Sequence, residues 1–191
     1  MTDLVRGTST GKRERLVAAA RTLIHEQGVH PTTLAEVAQR ADVPPGNVYY
    51  YFKAKEDLVR AVVDDYVGQA EAMLAELGRL RSPASRLKGL TRGWLDVADT
   101  VAEHGCPVGS LCAELNRCDG PLGVAGAEIL GRITQWSEAQ FRQLGRRDAK
   151  DLAMALLSGI QGSALLANTF HDATIMRRQA RYLERWIDSL S

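Results

Sequence analysis

The sequence predicts an all-α protein in which a small helix-turn-helix domain, residues 1–54, precedes a larger helical bundle, residues 55–191. Three observations support this prediction. Apolar residues recur with the 3.6-residue period of an α-helix in every periodic segment of the chain. We find no stretch that alternates apolar and polar residues as a half-buried strand does. Residues 32–58 contain two short helical patterns around a tight turn, which is typical of a helix-turn-helix.

Length and composition fit this architecture and exclude several classes of protein. A chain of 191 residues with 45% hydrophobic residues has room for a small domain beside a larger one with a sizeable core. A net charge of +1 argues against a protein that merely coats or compacts nucleic acid. Three cysteines imply no disulfide framework, and no signal peptide or membrane-spanning stretch is predicted. We therefore expect a cytoplasmic protein with no membrane partner.

The helices follow one another with recognisable ends. The first is predicted over 11–27 and is stopped by Gly28. After the helix-turn-helix, a long amphipathic helix runs from Lys55 to about Leu80, where Ser82-Pro83 ends it. Because this helix crosses from one predicted domain into the other, no flexible linker is expected. The remaining predicted helices cover 84–104, a short segment ending near 115, 122–144, 148–170 and 174–190.

The helix-turn-helix has its own start and stop signals. Thr32 or Thr33 is placed to cap the first helix, with Glu36 one turn later to return a hydrogen bond to the cap. The segment 42–46, Asp-Val-Pro-Pro-Gly, breaks that helix, and its prolines suit the first turn of the next one. In a helix-turn-helix, the second helix enters the major groove of DNA.

Residues 48–56, Val-Tyr-Tyr-Tyr-Phe-Lys-Ala-Lys-Glu, resemble the leucine-tyrosine-x-x-phenylalanine-x-x-lysine-glutamate signature of the TetR family of bacterial transcriptional regulators. The resemblance covers about residues 11–60. It implies a homodimer that binds double-stranded DNA, with an all-α domain that senses a small-molecule effector. It also assigns DNA contacts to Thr33, Pro45, Gly46, Asn47, Tyr49, Tyr51 and Lys55.

The chemistry of these residues suits DNA. The hydroxyls of Tyr49 and Tyr51 can bond phosphate oxygens, and Asn47 can bond a phosphate or a base edge. Lys55 is placed to meet a phosphate and to add salt-sensitive affinity. Pro45 departs from many relatives, which have a basic or polar side chain there. Because proline donates no hydrogen bond, base readout at that point must come from apolar contact or from neighbouring residues.

The alternative interpretation of this aromatic run is a buried cluster that only stabilises a small helical domain. We expect that role for Tyr50 and Phe52, and DNA contact for Tyr49 and Tyr51. Basic residues near the N-terminus could also steer the protein to phosphates or enter a minor groove, or they could form an ordinary solvated face. These are Arg6, Lys12, Arg13 and Arg15.

The effector pocket is predicted from the large apolar side chains of the middle helices, with a few polar neighbours. Such walls suit a small apolar or aromatic molecule. The alternative is that the same side chains are ordinary core. The predicted pocket residues are Tyr66, Met73, Trp94, Cys106, Trp136, Phe141, Met154 and Gln161.

Cys106 supports a second kind of trigger. A cysteine at a loop-to-helix junction has its thiol pKa lowered by the helix dipole, so Cys106 could sense oxidants or electrophiles. Such a sensor must be partly exposed and have a depressed pKa. A thiol enzyme that uses Cys106 and His104 is a more distant alternative, because a base with its orienting partner is missing. We therefore predict a regulator, most simply a repressor, with no enzymatic activity, metal or cofactor.

The prediction of a homodimer rests on the last two helices. One has a face of small and aliphatic residues, and the other has an apolar face near the C-terminus, so two copies could form a four-helix interface. The alternative is that these faces pack inside one chain. The predicted interface residues are Leu156, Gly159, Ile160, Ser163, Ala164, Tyr182 and Trp186.

Overall fold

The computed structural model describes residues 11–118 and 120–190, and in these ranges the chain is helical with no strand. The predicted N-terminal arm, including Arg6, and the predicted break at Asp119 lie outside the described residues. The helices are α1 (Lys12–Gln27), α2 (Leu34–Arg40), α3 (Pro45–Tyr51), α4 (Lys55–Gly78), α5 (Pro83–Gly93), α6 (Ala98–His104), α7 (Pro107–Leu115), α8 (Pro121–Gln143), α9 (Ala149–Phe170) and α10 (Thr174–Ser189). The prediction of an all-α protein is confirmed.

The chain forms two compact units that divide within α4. The first unit ends at Val62 and the second begins at Val63. The sequence prediction placed the division at the start of the same helix, between residues 54 and 55. The helix itself continues without interruption across both positions.

The first unit is a three-helix arrangement in which α1 packs on α2 and α2 packs on α3. Thr33 is the residue that caps α2. Its hydroxyl accepts a hydrogen bond from the Glu36 backbone N–H, while the Glu36 carboxylate accepts one from the Thr33 backbone N–H. The Thr33 hydroxyl also donates to this carboxylate, and this bond together with the one from the Thr33 backbone N–H lowers the pKa of the Glu36 carboxyl below its ordinary value. The core of the unit consists of Leu16, Ala20, Val37, Ala38, Val48 and Phe52, among others.

The second unit is built around α9, which packs against α6, α8 and α10. Its buried side chains form two clusters. The first includes Leu87, Leu90, Ile133, Phe141, Leu156, Ile160, Leu183 and Ile187. The second includes Ala98, Val101, Ala102, Cys106, Ala164, Ala167 and Met176. Because α9 contributes to both clusters, it joins the two ends of the unit.

The predicted helix over 84–104 is in fact two helices, α5 and α6. The break follows Gly93, which has low helix propensity, and the chain then makes turns whose N–H groups bond three residues back. Leu90 belongs to the first cluster and Val101 to the second. Trp94, at the break, packs against both. Because of this break, α5 packs in the first cluster and α6 in the second, which a single straight helix would not do.

Among the described residues, α9 is the one helix that is long and apolar enough to cross a membrane by length and composition. In the fold, its residues Leu156, Ile160 and Ala164 are buried against neighbouring helices. The inner face of α9 therefore packs in the core of the second unit, while Leu165, Leu166 and Phe170 are exposed.

Candidate DNA-binding surface and effector cavity

Helix α3 is anchored on one side and exposed on the other. Val48 and Phe52 are buried, and the guanidinium of Arg13 lies 5.5 Å from the centre of the Phe52 ring. The opposite side presents two large side chains to solvent, Tyr49 with 57% and Tyr50 with 76% of its surface exposed. Large exposed aromatic groups on so short a helix indicate a binding surface.

The expectation that Tyr50 is buried has to be corrected. Val48 and Phe52 lie one helical turn apart and both face the core, so position 50, two residues from each, points away from it. Phe52 is buried as expected. Tyr51 is partly buried, and its ring meets that of Tyr50 edge-on with the centroids 5.1 Å apart. The tyrosines that α3 presents are therefore Tyr49 and Tyr50, with Tyr51 supporting Tyr50.

The other predicted DNA contacts lie around the helix ends. Thr33, Pro45 and Gly46 are exposed, and Asn47 is partly buried. The ammonium group of Lys55 donates a hydrogen bond to the carbonyl oxygen of His30 at 2.8 Å. An ammonium group carries three protons, so this bond leaves two for a phosphate.

The basic side chains of α1 occupy different positions. Lys12 and Arg13 are exposed, whereas Arg15 is partly buried. Since Arg13 already packs over Phe52, only part of this group is available to a phosphate.

A cavity of about 290 Å³ lies in the second unit, between the turn that joins α6 to α7 and one side of α9. It brings together two of the predicted pocket residues, Cys106 and Gln161. The side of the turn and of α7 is formed by Gly105, Cys106, Gly109, Ser110 and Ala113. The side of α9 is formed by Gln161, Leu165 and Asn168.

The turn at one end of the cavity is fixed by Gly105 and Asn168. Gly105 has φ +82°, which favours glycine, and a Cβ there would lie only 3.1 Å from the hydroxyl oxygen of Ser110. The Nδ2 group of Asn168 donates hydrogen bonds to the carbonyl oxygens of Ala102 and Glu103, at 3.3 and 3.2 Å. This side chain therefore ties the C-terminal end of α6 to α9.

Gln161 is one of three hydroxyl or amide side chains that line the cavity, together with Ser110 and Asn168. Its Nε2 atom is buried and has no hydrogen-bond partner among the described residues. Its Oε1 atom lies against Gly109, where an added Cβ would approach it to 2.7 Å. The Gly109 backbone N–H donates to the Cys106 sulfur at 3.3 Å. The Gln161 amide therefore lies beside Gly109, and its buried Nε2 donor has no acceptor at hydrogen-bond geometry in the described part of the chain.

The thiols near the cavity are held in their protonated form. Cys106 is 6% exposed, and burial raises its pKa, although the backbone N–H groups of Gly109 and Val108 and the neighbouring side-chain amide of Gln161, which does not reach hydrogen-bond geometry with the sulfur, oppose this effect. Burial raises the pKa of Cys112 to about 11, and its thiol donates to the Gly126 carbonyl oxygen at 3.1 Å. Cys106 therefore has neither the exposure nor the lowered pKa that a thiolate sensor requires.

These environments predict an order of thiol reactivity. Cys118 is exposed, so it should react with Ellman's reagent at least about tenfold faster than Cys106 and Cys112, because thiolate access controls the rate. The Cys112 rate should keep rising up to about pH 11, since a raised pKa leaves less thiolate at neutral pH. A stopped-flow absorbance trace measures both rates. The fast phase should vanish in Cys118→Ser, and its persistence there would contradict the assignment.

Two family models match the chain. The model described as bacterial regulatory proteins, tetR family, matches residues 16–62. The model described as the C-terminal domain of LmrA/YxaF-like transcriptional regulators matches residues 83–182, which is more than half of the chain. The chain belongs to the TetR family of bacterial transcriptional regulators. The resemblance first seen in residues 48–56 is confirmed, and so are the helix-turn-helix and the assignment to DNA-binding regulators of transcription.

Individual TetR-family proteins match over most of their length. BetI of Escherichia coli is 33% identical over 166 residues, which cover 84% of each chain. LmrA of Bacillus subtilis is 29% identical over 170 residues, covering 85% of this chain and 89% of that one. The crystal structure of a TetR transcriptional regulator from Legionella pneumophila has a TM-score of 0.84 at 18% identity, covering 93% and 98% of the two chains. This last comparison shows the shared fold.

Six of the eight pocket residues predicted for this TetR-family protein do not line the cavity. Phe141 is fully buried against Trp186, and Met73 and Trp136 pack on the first core cluster. Tyr66 is partly buried on α4, while Met154 is 54% exposed. Trp94 lines a cleft of only about 10 Å³, which has room for roughly one water molecule. The apolar character of Phe141, Met73, Trp136 and Trp94 reflects core packing, which sequence periodicity does not distinguish from a pocket wall.

The predicted dimer face of this TetR-family chain also has to be corrected. Four of its residues are buried in the protomer's own core, Leu156, Ile160, Ser163 and Ala164. Trp186 is partly buried against Phe141. Of the predicted interface residues, Tyr182 is the exposed large one, with 56% of its surface accessible. The face identified from the sequence is the inner face of α9.

Gly159 also belongs to the protomer's own packing. An added Cβ would lie 2.9 Å from Gln179 Nε2 and 3.3 Å from a methyl group of Leu183. Gly159→Leu should therefore overpack the contact of α9 with α10 and lower the free energy of unfolding by about 1–3 kcal/mol. Gly131→Leu on α8 is the control, because space around Gly131 is open. Urea denaturation measures both; a Gly159→Leu variant as stable as the control would contradict the packing.

Proposed function

We propose that this TetR-family protein is a cytoplasmic homodimeric repressor that a small uncharged ligand releases from its operator. The DNA-binding part of this proposal rests on one observation. Tyr49 and Tyr50 are exposed on a helix that Val48 and Phe52 anchor to the core. This exposure supports insertion of α3 into a major groove, with the tyrosine hydroxyls at phosphates or base edges. Thr33, Pro45, Gly46, Asn47, Tyr51 and Lys55 would complete the contact.

The proposed dimer uses the outer face of α9 with α10. We call this the α9–α10 surface, and define it by Met154, Ser158, Gly162, Leu166 and Tyr182. All of these except Gly162 are exposed, and an open groove of about 550 Å³ runs between the two helices beside Gly162. Small residues beside large apolar ones let a second copy pack closely. A symmetric dimer places two recognition helices on two half-sites.

The cavity is the proposed effector site because α9 carries both its wall and the dimer surface. Gln161 and Asn168 face the cavity, while Gly162 and Leu166 lie on the α9–α10 surface. A ligand that binds one arrangement of α9 better than another therefore shifts the dimer between two conformations. Release follows when the preferred conformation has the lower affinity for the operator.

The alternatives based on cysteine chemistry are weaker. The raised pKa and burial of Cys106 weigh against both an oxidant switch and a thiol enzyme. The Nε2 atom of His104 lies 3.7 Å from a carboxylate oxygen of Glu103, and His104 is not among the residues that line the cavity with Cys106. A non-enzymatic regulator remains the proposal.

Filling the cavity tests the effector site. Ala113→Phe, at the rim on α7, should abolish release by compounds that release the wild type, while leaving ligand-free DNA affinity within about twofold, since the substituted side chain faces the cavity. Fluorescence anisotropy would use a duplex selected from a random library and a panel of uncharged one- and two-ring aromatic compounds. The matched control is Ala127→Phe on α8, also exposed. Equal release of Ala113→Phe and wild type would place the effector elsewhere.

A further inference from the structure

We infer that the cavity recognises an uncharged molecule through a carbonyl oxygen that accepts a hydrogen bond from Nε2 of Gln161. The inference rests on the proposed effector site and specifies the chemical class of its ligand. Its basis is the juxtaposition of an unpartnered buried donor with a wall of neutral groups in a cavity of limited volume.

Gln161 is the donor that the cavity leaves open. A buried N–H group without a partner is costly, and most such groups in folded proteins are paired. Two other N–H donors nearby are occupied: the Gly109 N–H points to the Cys106 sulfur, and Asn168 Nδ2 bonds two carbonyl oxygens of α6. The Ser110 hydroxyl also lines the cavity, but it is exposed and can bond to water. Gln161 lines the cavity, so a rotation of its terminal amide would turn the buried Nε2 atom to a ligand oxygen and satisfy a group that the protein itself does not.

The wall of the cavity favours a neutral ligand. None of its lining residues is Asp, Glu, Lys, Arg or His. A carboxylate or an ammonium ion would lose part of its hydration there without meeting an opposite charge, which is unfavourable. The buried Cys106 thiol, with its raised pKa, adds no negative charge at neutral pH. A carbonyl oxygen accepts the available hydrogen bond without that penalty.

Size and apolar surface narrow the class further. A volume of about 290 Å³ lies just below the usual range for small-molecule sites, which begins at roughly 300 Å³, and so favours a small ligand. Ala113 and Leu165 give the cavity apolar wall on opposite sides, one on α7 and one on α9. The ligand is therefore a one- or two-ring compound with one carbonyl group.

Three naphthalene probes of nearly equal size test the inference. 2-Acetylnaphthalene supplies a neutral carbonyl, 2-isopropenylnaphthalene replaces its oxygen by carbon, and 2-naphthoate replaces the ketone by a carboxylate. Isothermal titration calorimetry of the full chain measures each dissociation constant. We expect the ketone to bind about five- to tenfold more tightly than the hydrocarbon, the value of one neutral hydrogen bond, and the carboxylate to bind more weakly than both.

Two variants test whether Gln161 causes the difference in affinity between the ketone and the hydrocarbon. Gln161→Met keeps the length of the side chain and removes the donor, and Gln161→Glu keeps its shape and replaces the donor by an acceptor. Both should reduce ketone affinity about five- to tenfold, and Gln161→Met should leave hydrocarbon affinity unchanged. Gln135→Met, on the exposed surface of α8, is the matched control and should bind all probes as the wild type does. Thermal melts verify that each variant is folded.

The inference is supported if the wild type and Gln135→Met bind the ketone more tightly than the hydrocarbon, and if both Gln161 variants lose this preference. Equal binding of ketone and hydrocarbon, tighter binding of the carboxylate, or binding of no probe would overturn it. A DNA-release assay is run in parallel. Ketone binding that depends on Gln161 without release would count against the proposed effector function alone, whereas release by the hydrocarbon as readily as by the ketone would count against the ligand class alone.

Discussion

Replacing Tyr49 and Tyr50 together with alanine should weaken binding to a selected duplex by about 2–3 kcal/mol, roughly 30- to 150-fold. Both side chains are largely exposed on α3, so their loss removes hydroxyl contacts and aromatic surface from the DNA interface without opening a cavity in the core. Fluorescence anisotropy at fixed salt measures the affinity. Salt must be held constant, because the phosphate contribution changes steeply with it.

The control for this prediction is an exposed apolar residue far along the chain. Val124→Ala, on α8, removes side-chain surface that is 68% exposed and should leave DNA affinity unchanged. Thermal unfolding of the double variant should match that of the wild type. If the double variant binds the duplex as tightly as Val124→Ala does, α3 does not carry the contact.

Gly162→Arg should convert the protein to a monomer at micromolar concentration and abolish tight DNA binding. No atom lies within 4 Å of an added Cβ at Gly162, so the protomer itself accommodates the side chain. In a symmetric dimer the same position occurs on both copies, and a buried guanidinium without a partner costs about 3–5 kcal/mol. The expected loss is at least about 100-fold in the dimer association constant.

Two comparison variants distinguish a loss of the dimer interface from a loss of protomer stability. Gly131→Arg places the same side chain in open space on α8 and should remain dimeric. Gly159→Leu should lower protomer stability, because its clash is with Gln179 and Leu183 of the same chain. Sedimentation velocity measures the oligomeric state. If Gly162→Arg is still a dimer, or if both arginine variants are monomers, the α9–α10 surface is not the dimer interface.

The sequence predicted the first unit well because its signals are local. The cap at Thr33, the break at 42–46 and the core positions Val48 and Phe52 depend on residues a few positions apart. Tyr50 was misplaced because a run of aromatic residues does not show by itself which member faces inward. Counting the helical turn from Val48 to Phe52 would have placed it outside.

The second unit was predicted less well because its site depends on contacts between distant segments. The cavity joins the turn at Gly105 to Gln161 and Asn168, more than fifty residues later. Composition favoured large apolar residues such as Phe141, which fill the core, whereas the cavity exists where small residues meet. The positive φ of Gly105 was a local feature that periodicity alone does not reveal.

The same limit explains the corrected dimer face. Helix α9 has apolar residues on two sides, one including Leu156 and Ile160 and the other including Met154 and Leu166. Helical periodicity shows that both faces are apolar. It does not show which one packs within the chain, since that depends on where α8 and α10 lie.

Hydroxyl-radical footprinting of the wild type on a selected duplex tests the central claim most directly. A dimer with one recognition helix per half-site predicts two symmetric protected segments whose centres are separated by about 10 base pairs or a multiple of that spacing. Both segments should disappear together with the Tyr49→Ala, Tyr50→Ala double variant and with Gly162→Arg. A single protected segment, or two that persist in either variant, would contradict the account.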